Sequence, residues 1–223
     1  MKGSLYKIDL HTHSIISHDG GITASQYEKV LQTGVLDCIA ITDHNETSFA
    51  RIMQKKLGER VIIGEEITTT EGEIIGLYLQ ETIPGGIGID EAVASIQHQG
   101  GLVYVPHPFE TFRKGLRQMT MGKIATDIDI IETFNGRGRF RGKRALAEKF
   151  AVKNNLPQAA SSDAHGVGAL GPTSSLIPEF PTQKTLKKLL SNAILDKTYS
   201  PLYAFLYPFY NRIKNTIVLV GEN

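Results

Sequence analysis

Six short runs of β-forming residues, each closed by a histidine or a carboxylate, constrain this chain more than any other feature. The runs lie near Leu5–Leu10, Leu36–Thr42, Val61–Gly64, Leu102–Val105, Asp127–Thr133 and Pro157–Ser161. Helix-type segments fall between them, near Glu46–Leu57, Asp90–Gln99, Lys143–Asn154 and Thr182–Leu195. Thr23-Ala24-Ser25-Gln26 has the spacing of a capping box and opens a further helix ending near Gly34. Strands alternating with helices predict parallel strands joined by crossover helices, hence an α/β fold. Ile67 to Leu79, with a turn at Glu71-Gly72, reads as a hairpin appended to the third strand.

At 223 residues one domain is expected over 1–223. A domain of this size buries enough surface to stand without disulfides or a structural metal. The single cysteine, Cys38, excludes a disulfide within the chain and points to a reducing, cytoplasmic compartment. The 24 basic and 23 acidic residues nearly cancel, which argues against coating of nucleic acid or of an anionic membrane. No run reaches the roughly 18 apolar residues of a membrane span. Leu202 to Val220 comes nearest and is interrupted by Pro208, Asn211, Arg212, Lys214 and Asn215. Residues 200–223 are expected as an aromatic-rich tail packed on the barrel or at a subunit contact, and Tyr203–Tyr210 within it to cap the barrel bottom or form a dimer surface.

Metal-capable side chains sit where the β-runs end. His11 and His13 follow the first, Asp43 and His44 the second, Glu65 and Glu66 the third, and His107 the fourth. Glu132 and Asn135 close the fifth, and Asp163 and His165 follow the last. In a parallel barrel all of these ends open on one face, so residues distant in sequence would meet at one mouth. Each motif alone is weak: His-x-His arises by chance, Asp43 could be a helix cap, Asp19 a turn residue, and His107 between Pro106 and Pro108 a rigid corner. Their joint placement is what points to a site. Nitrogen and oxygen ligands without cysteine suit manganese, iron or zinc, and they exceed what one tetrahedral ion needs. Two or three divalent ions are expected.

The ordered set Asp9-Leu10-His11-Thr12-His13, Asp19-Gly20, Ile41-Thr42-Asp43-His44, Gly64-Glu65-Glu66-Ile67-Thr68, Pro106-His107-Pro108 and Ser162-Asp163-Ala164-His165 resembles the PHP (polymerase and histidinol phosphatase) family over roughly residues 5–175. The resemblance implies a distorted (β/α)7 TIM-like barrel that hydrolyses phosphate esters with a metal cluster. It implies that His11, His13, Glu66 and Asp163 hold the first metal, that Glu66 bridges to a second bound by His107, and that Asp19, His44 and His165 hold a third. Glu65 is then expected to face away, into a salt link. Family members often carry a histidine in the hairpin strand after the bridging glutamate, and here Ile75 stands near that place. Water, or a neighbour such as Glu132, would have to complete the second metal.

The expected chemistry is hydrolysis of a phosphomonoester or nucleotide-type small molecule by a metal-bound hydroxide. Glu66, His107 and Asp163 would act in catalysis, with Asp163 or a cluster histidine protonating the leaving group. Arg113 and Arg137 are the expected phosphate contacts. Nine Lys or Arg against four Asp or Glu between His107 and Arg144 favour a phosphorylated substrate. Five of the nine lie in Arg137–Arg144, where Phe140 could stack on a base. The alternatives are a 5'-3' exonuclease-like activity, with nucleic acid met only as substrate, a protein-tyrosine phosphatase, and a degenerate metal-binding module.

Overall fold

The capping box is formed as read. The Gln26 amide donates to Thr23 Oγ1 and the Thr23 amide to Gln26 Oε1 at 2.9 Å, which fixes the start of α1 (Ala24–Gln32). The structure, a computed structural model, describes residues 5–140 and 142–221, with side chains described through 214. Nine strands form one sheet among these residues: β1 (Tyr6–Asp9), β2 (Cys38–Ile41), β3 (Val61–Thr68), β4 (Glu73–Leu77), β5 (Leu102–Val105), β6 (Ile130–Asn135), β7 (Gln158–Ser161), β8 (Thr173–Ile177) and β9 (Ile194–Lys197). The spatial order is β7-β6-β5-β4-β3-β2-β1-β8-β9. β1, β2 and β3 run parallel, as do β5, β6 and β7, while β4 lies antiparallel between β3 and β5.

The remaining helices are α2 (Ser48–Leu57), α3 (Ile89–His98), α4 (Gln118–Lys123), α5 (Arg144–Lys153), α6 (Leu186–Leu190) and α7 (Tyr207–Gly221). Strand residues alternate between two apolar layers, because successive side chains point to opposite faces. Ile39, Ile41 and Val61 pack outward with Tyr27 and Leu31 of α1 and Phe49 and Met53 of α2. Val103, Val105 and Ile131 pack outward with Ile96 of α3 and Phe150 of α5. Ile8, Ala40, Ile62, Ile75, Tyr104 and Ile130 turn inward and fill the barrel. Full burial of such an aliphatic side chain contributes roughly 1.5–3 kcal/mol. Ser175 Oγ receives the Ala160 amide at 3.0 Å and donates to the Ala160 carbonyl at 3.1 Å, so β7 approaches β8 and the sheet curls into a nearly closed, distorted (β/α) barrel.

Two expectations need correction here. The segment Thr182–Leu195 is not one helix: α6 stops at Leu190, and Ile194–Lys197 pairs antiparallel with β8. A short apolar run fits either period, and the open edge of β8 decided it. The aromatic tail does not cap the barrel bottom. Asn211 Nδ2 donates to the carbonyls of Asp19 and His165, each at 2.9 Å, so α7 packs beside the mouth. Gly166 belongs to this contact, since a Cβ there would stand 2.7 Å from the Tyr207 ring. Among the described residues no helix is long and apolar enough to cross a membrane.

Candidate metal centre

All eight side chains read as metal ligands come together at the mouth. The Nε2 atoms of His11 and His13 stand 3.1 Å apart, and each lies 3.3 Å from Glu66 Oε2. Asp163 Oδ1 is 3.7 Å from the first nitrogen and 3.6 Å from the second. A tetrahedron of ligands at zinc-like distances near 2.1 Å has edges of about 3.4 Å. The five separations measured here straddle that value, so these four atoms frame a cation-sized gap. The other carboxylate oxygen, Glu66 Oε1, faces His107 Nε2 at 3.0 Å, which gives Glu66 the geometry of a bridge. Around the third group, Asp19 Oδ1 is 3.5 Å from His44 Nε2 and 3.4 Å from His165 Nε2. Asp19 Oδ1 and His44 Nδ1 are buried and have no hydrogen-bond partner, which is what a ligand set fitted to a cation presents. His18, exposed and beside Asp19 and His44, joins one of the candidate metal-holding groups.

The backbone is bent to reach this arrangement. His107 (φ 28°) and Asp163 (φ 52°) both take left-handed conformations that L-residues rarely adopt, and both follow the end of a parallel strand. Asp43 is not part of the cluster. It accepts from the Ser14 amide at 2.6 Å and from the Ser14 hydroxyl, and so ties the loop after β1 to the end of β2.

Electrostatics separates the acids by position. Burial alone would raise Asp163, but Arg137 and His11 overcome it and hold the carboxylate well below its usual range. Burial likewise opposes Glu66, whose neighbours His11 and His44 hold it far down. His44 and His165 are kept neutral, at about 3 and about 4, mainly by burial. Against burial, Glu66 and Asp163 hold His11 and His13 up, His13 to about 9, so these two must lose a proton to ligate a metal, whereas His44 and His165 are already neutral.

Neighbours outside the ligand set hold it in place. Glu132 accepts from His11 Nδ1 at 3.0 Å and from the Tyr104 hydroxyl at 3.1 Å, so it orients His11 from below instead of entering the second metal site. Arg212 donates to Asp19 Oδ2 at 2.9 Å. Arg113 spends Nε and Nη2 on Glu110 and directs Nη1 to Asn135 Oδ1 (2.7 Å) and Asp163 Oδ2 (2.6 Å). Arg137 reaches Asp163 Oδ1 at 3.1 Å through Nη1, while its buried Nε has no partner. Both arginines line the cavity of about 1000 Å³ above the cluster.

Three further expectations change. Glu65 does turn away, but into the protein and without an ion pair: its carboxylate accepts from the Ile83 amide at 2.9 Å, and burial pushes it up to about 8. Ile75 is wholly buried in the inward apolar layer. In the run Arg137–Arg144, Arg139 lies over the Tyr199 ring and Arg144 over Phe134, Phe140 packs on Phe205, and Arg141 falls outside the described residues. Sequence reasoning missed Glu73, 5 % exposed, whose two carboxylate oxygens stand 4.0 Å from His44 Nδ1 and from His107 Nε2. The signal was present as the only acid of the second hairpin strand, but the direction of that strand was needed to use it.

No family model matches the chain. It is 35% identical over 167 residues to the uncharacterized protein MJ1587 of Methanocaldococcus jannaschii, covering 69% of this chain and 95% of that one. To the uncharacterized protein MJ0417 of the same organism it is 33% identical over 172 residues, covering 74% and 68%. Among solved structures, a two-domain protein from Bacteroides vulgatus, containing a predicted PHP-like metal-dependent phosphoesterase, superposes with a TM-score of 0.70 at 18% identity, over 95% of this chain and 71% of that one. The chain therefore belongs to one family with MJ1587 and MJ0417, and its fold is that of the PHP-like metal-dependent phosphoesterases.

Proposed function

We propose that this protein is a hydrolase that cleaves small phosphate esters with the help of divalent ions held by His11, His13, Glu66 and Asp163, by Glu66 and His107, and by Asp19, His44 and His165. The observation that carries this reading is the cluster of four ligand atoms, with His11 and His13 each 3.3–3.7 Å from Glu66 and Asp163, that shares Glu66 with His107. Ions bound there would activate water at neutral pH and offset charge on the phosphoryl oxygens. The chain's own part is positioning. Glu132 fixes the His11 ring, and Asn135, Arg113 and Arg137 fix Asp163. Asp163 stays ionised, which suits a ligand and removes it as the acid that protonates the leaving group. That task falls to a histidine of the cluster.

Arg137 is the better phosphate contact of the two arginines, because Arg113 has most of its five donors committed to Glu110, Asn135 and Asp163. The substrate class is a small phosphomonoester or nucleotide. Phe112, Phe205 and Phe209 line the cavity and suit a flat base, whereas Phe140 does not line it. A nuclease needs a continuous basic groove, and among the described residues Arg139 and Arg144 rest on aromatic rings instead.

Metal analysis of the purified protein, together with hydrolysis assays over nucleotides, sugar phosphates, histidinol phosphate, a phosphotyrosine peptide and short oligonucleotides, tests the proposal. Bound metal and turnover of a small ester are expected, and Asp163→Asn should reduce turnover by about 10³-fold, on the scale of lost transition-state charge stabilisation. No metal and no turnover after loading with manganese, iron or zinc would overturn it, and full activity in Asp163→Asn would disprove the first site.

A further inference from the structure

We infer that Glu73 is a ligand of the second cation site, beside Glu66 and His107, and fills the place for which the sequence offered only Ile75. The inference rests on the metal-dependent reading above and concerns which side chains complete it. Its first support is strand direction. β4 runs antiparallel to β3, with Glu73 opposite Thr68 and Ile75 opposite Glu66. Glu73 and Ile75 share a face of the strand. Moving forward along β4 leads away from the mouth, so Ile75 enters the apolar interior and Glu73, the first residue of the strand, stands at the site.

The second support is what the carboxylate meets. Oε1 lies 4.0 Å from His44 Nδ1 and Oε2 4.0 Å from His107 Nε2. Neither is a hydrogen bond at that length. Two ligands about 2.1 Å from one ion stand at most about 4.2 Å apart, so the spacing of Glu73 Oε2 from His107 Nε2 fits atoms facing each other across a cation. His44 Nδ1 is buried, makes no hydrogen bond and stands 3.3 Å from Glu66 Oε2, so Glu66 and Glu73 crowd the same nitrogen. Among the described residues Glu73 otherwise receives a 3.4 Å contact from Thr68 Oγ1 and a 3.7 Å approach from the exposed Lys114 ammonium. A carboxylate buried this deeply beside Glu66 is costly unless a cation joins it.

The third support is rigidity. The Glu73 amide donates to the Lys114 carbonyl at 2.8 Å, and Gly72 packs so closely against that carbonyl that a Cβ would stand 2.6 Å away. The loop that carries His107 is thereby pinned to the residue proposed to share its ion. An anionic oxygen in this place makes the site harder and favours manganese over zinc there.

The test is manganese binding to the full chain, by calorimetry and by metal content after dialysis, for wild type, Glu73→Gln and Glu73→His, with thermal melts in chelator. Glu73→Gln should lose one equivalent, or bind it at least about 10-fold more weakly. It should keep the first-site ion and melt in chelator no lower than wild type. Glu73→His, which retains a ligand without the carboxylate, should restore the equivalent. Unchanged stoichiometry and affinity in Glu73→Gln would overturn the inference while the metal-dependent reading stands. A wild type that binds no metal would overturn both. A Glu73→Gln that melts lower in chelator, with no restoration by Glu73→His, would mark Glu73 as structural and also overturn it.

Discussion

The inward faces of the same strands behave in two ways along the barrel axis. In the lower part Ile8, Ala40, Ile62, Ile75 and Ile130 close an apolar interior. At the mouth His11, Glu66, His107 and Asp163 set imidazoles against carboxylates at 3.0–3.7 Å, two of them on left-handed backbone. Tyr104 and Glu132 form the seam, with the Tyr104 hydroxyl donating to Glu132 and Glu132 holding His11. Close packing holds the lower layer in place. At the mouth, charge and proton placement do so. Residues two positions apart on one strand, Glu73 and Ile75, therefore answer to different physics.

Substitutions can break this comparison. The largest effect on stability is expected from Ile75→Ala, which should cost about 2–5 kcal/mol in chemical denaturation, as for other buried aliphatic truncations. Its metal stoichiometry should not change. A loss of metal without a loss of stability would show that the two layers are not separate. Next comes the seam: Glu132→Gln should weaken binding of the first-site ion by about 10–100-fold, read by calorimetry, because a neutral amide orients His11 less well. Equal affinity in that variant would remove Glu132 from the site's support. The smallest effect concerns Cys38, a wholly buried member of the lower layer whose thiol burial pushes up to about 12. It should resist a thiol reagent near pH 8 until the protein unfolds. Rapid labelling of the folded chain would mean that this layer opens to water.

Much of the site was legible before any fold was known, because a ligand-bearing turn after a β-run is a local pattern. His11 and His13 are spaced to face one side, and the resemblance of the Gly64-Glu65-Glu66 run to the family pattern singled out Glu66 as their partner. The role of Glu132 and the partner that Glu65 meets on turning away were not legible. Whether a carboxylate beside a cluster ligates, orients a ligand or turns into the core depends on angles of a few tens of degrees that sequence does not carry. Arg113 shows the same limit, since Glu110, three residues earlier, consumes the fork that was expected to hold phosphate.

The sequence by itself determined the alternation of strands and helices, the capping box at Thr23, and the collection of imidazoles and carboxylates at the ends of the parallel strands, since each follows from side-chain period and backbone preference over a few residues. Tertiary structure alone decided that β4 runs against its neighbours and so presents Glu73 instead of Ile75. It also decided that Ile194–Lys197 pairs with β8, and that the aromatic tail settles beside the mouth with Asn211 and Arg212 on the Asp19 loop. Those outcomes depend on which edge is open and which end of a strand faces the site, and both are properties of the assembled barrel that no single segment contains.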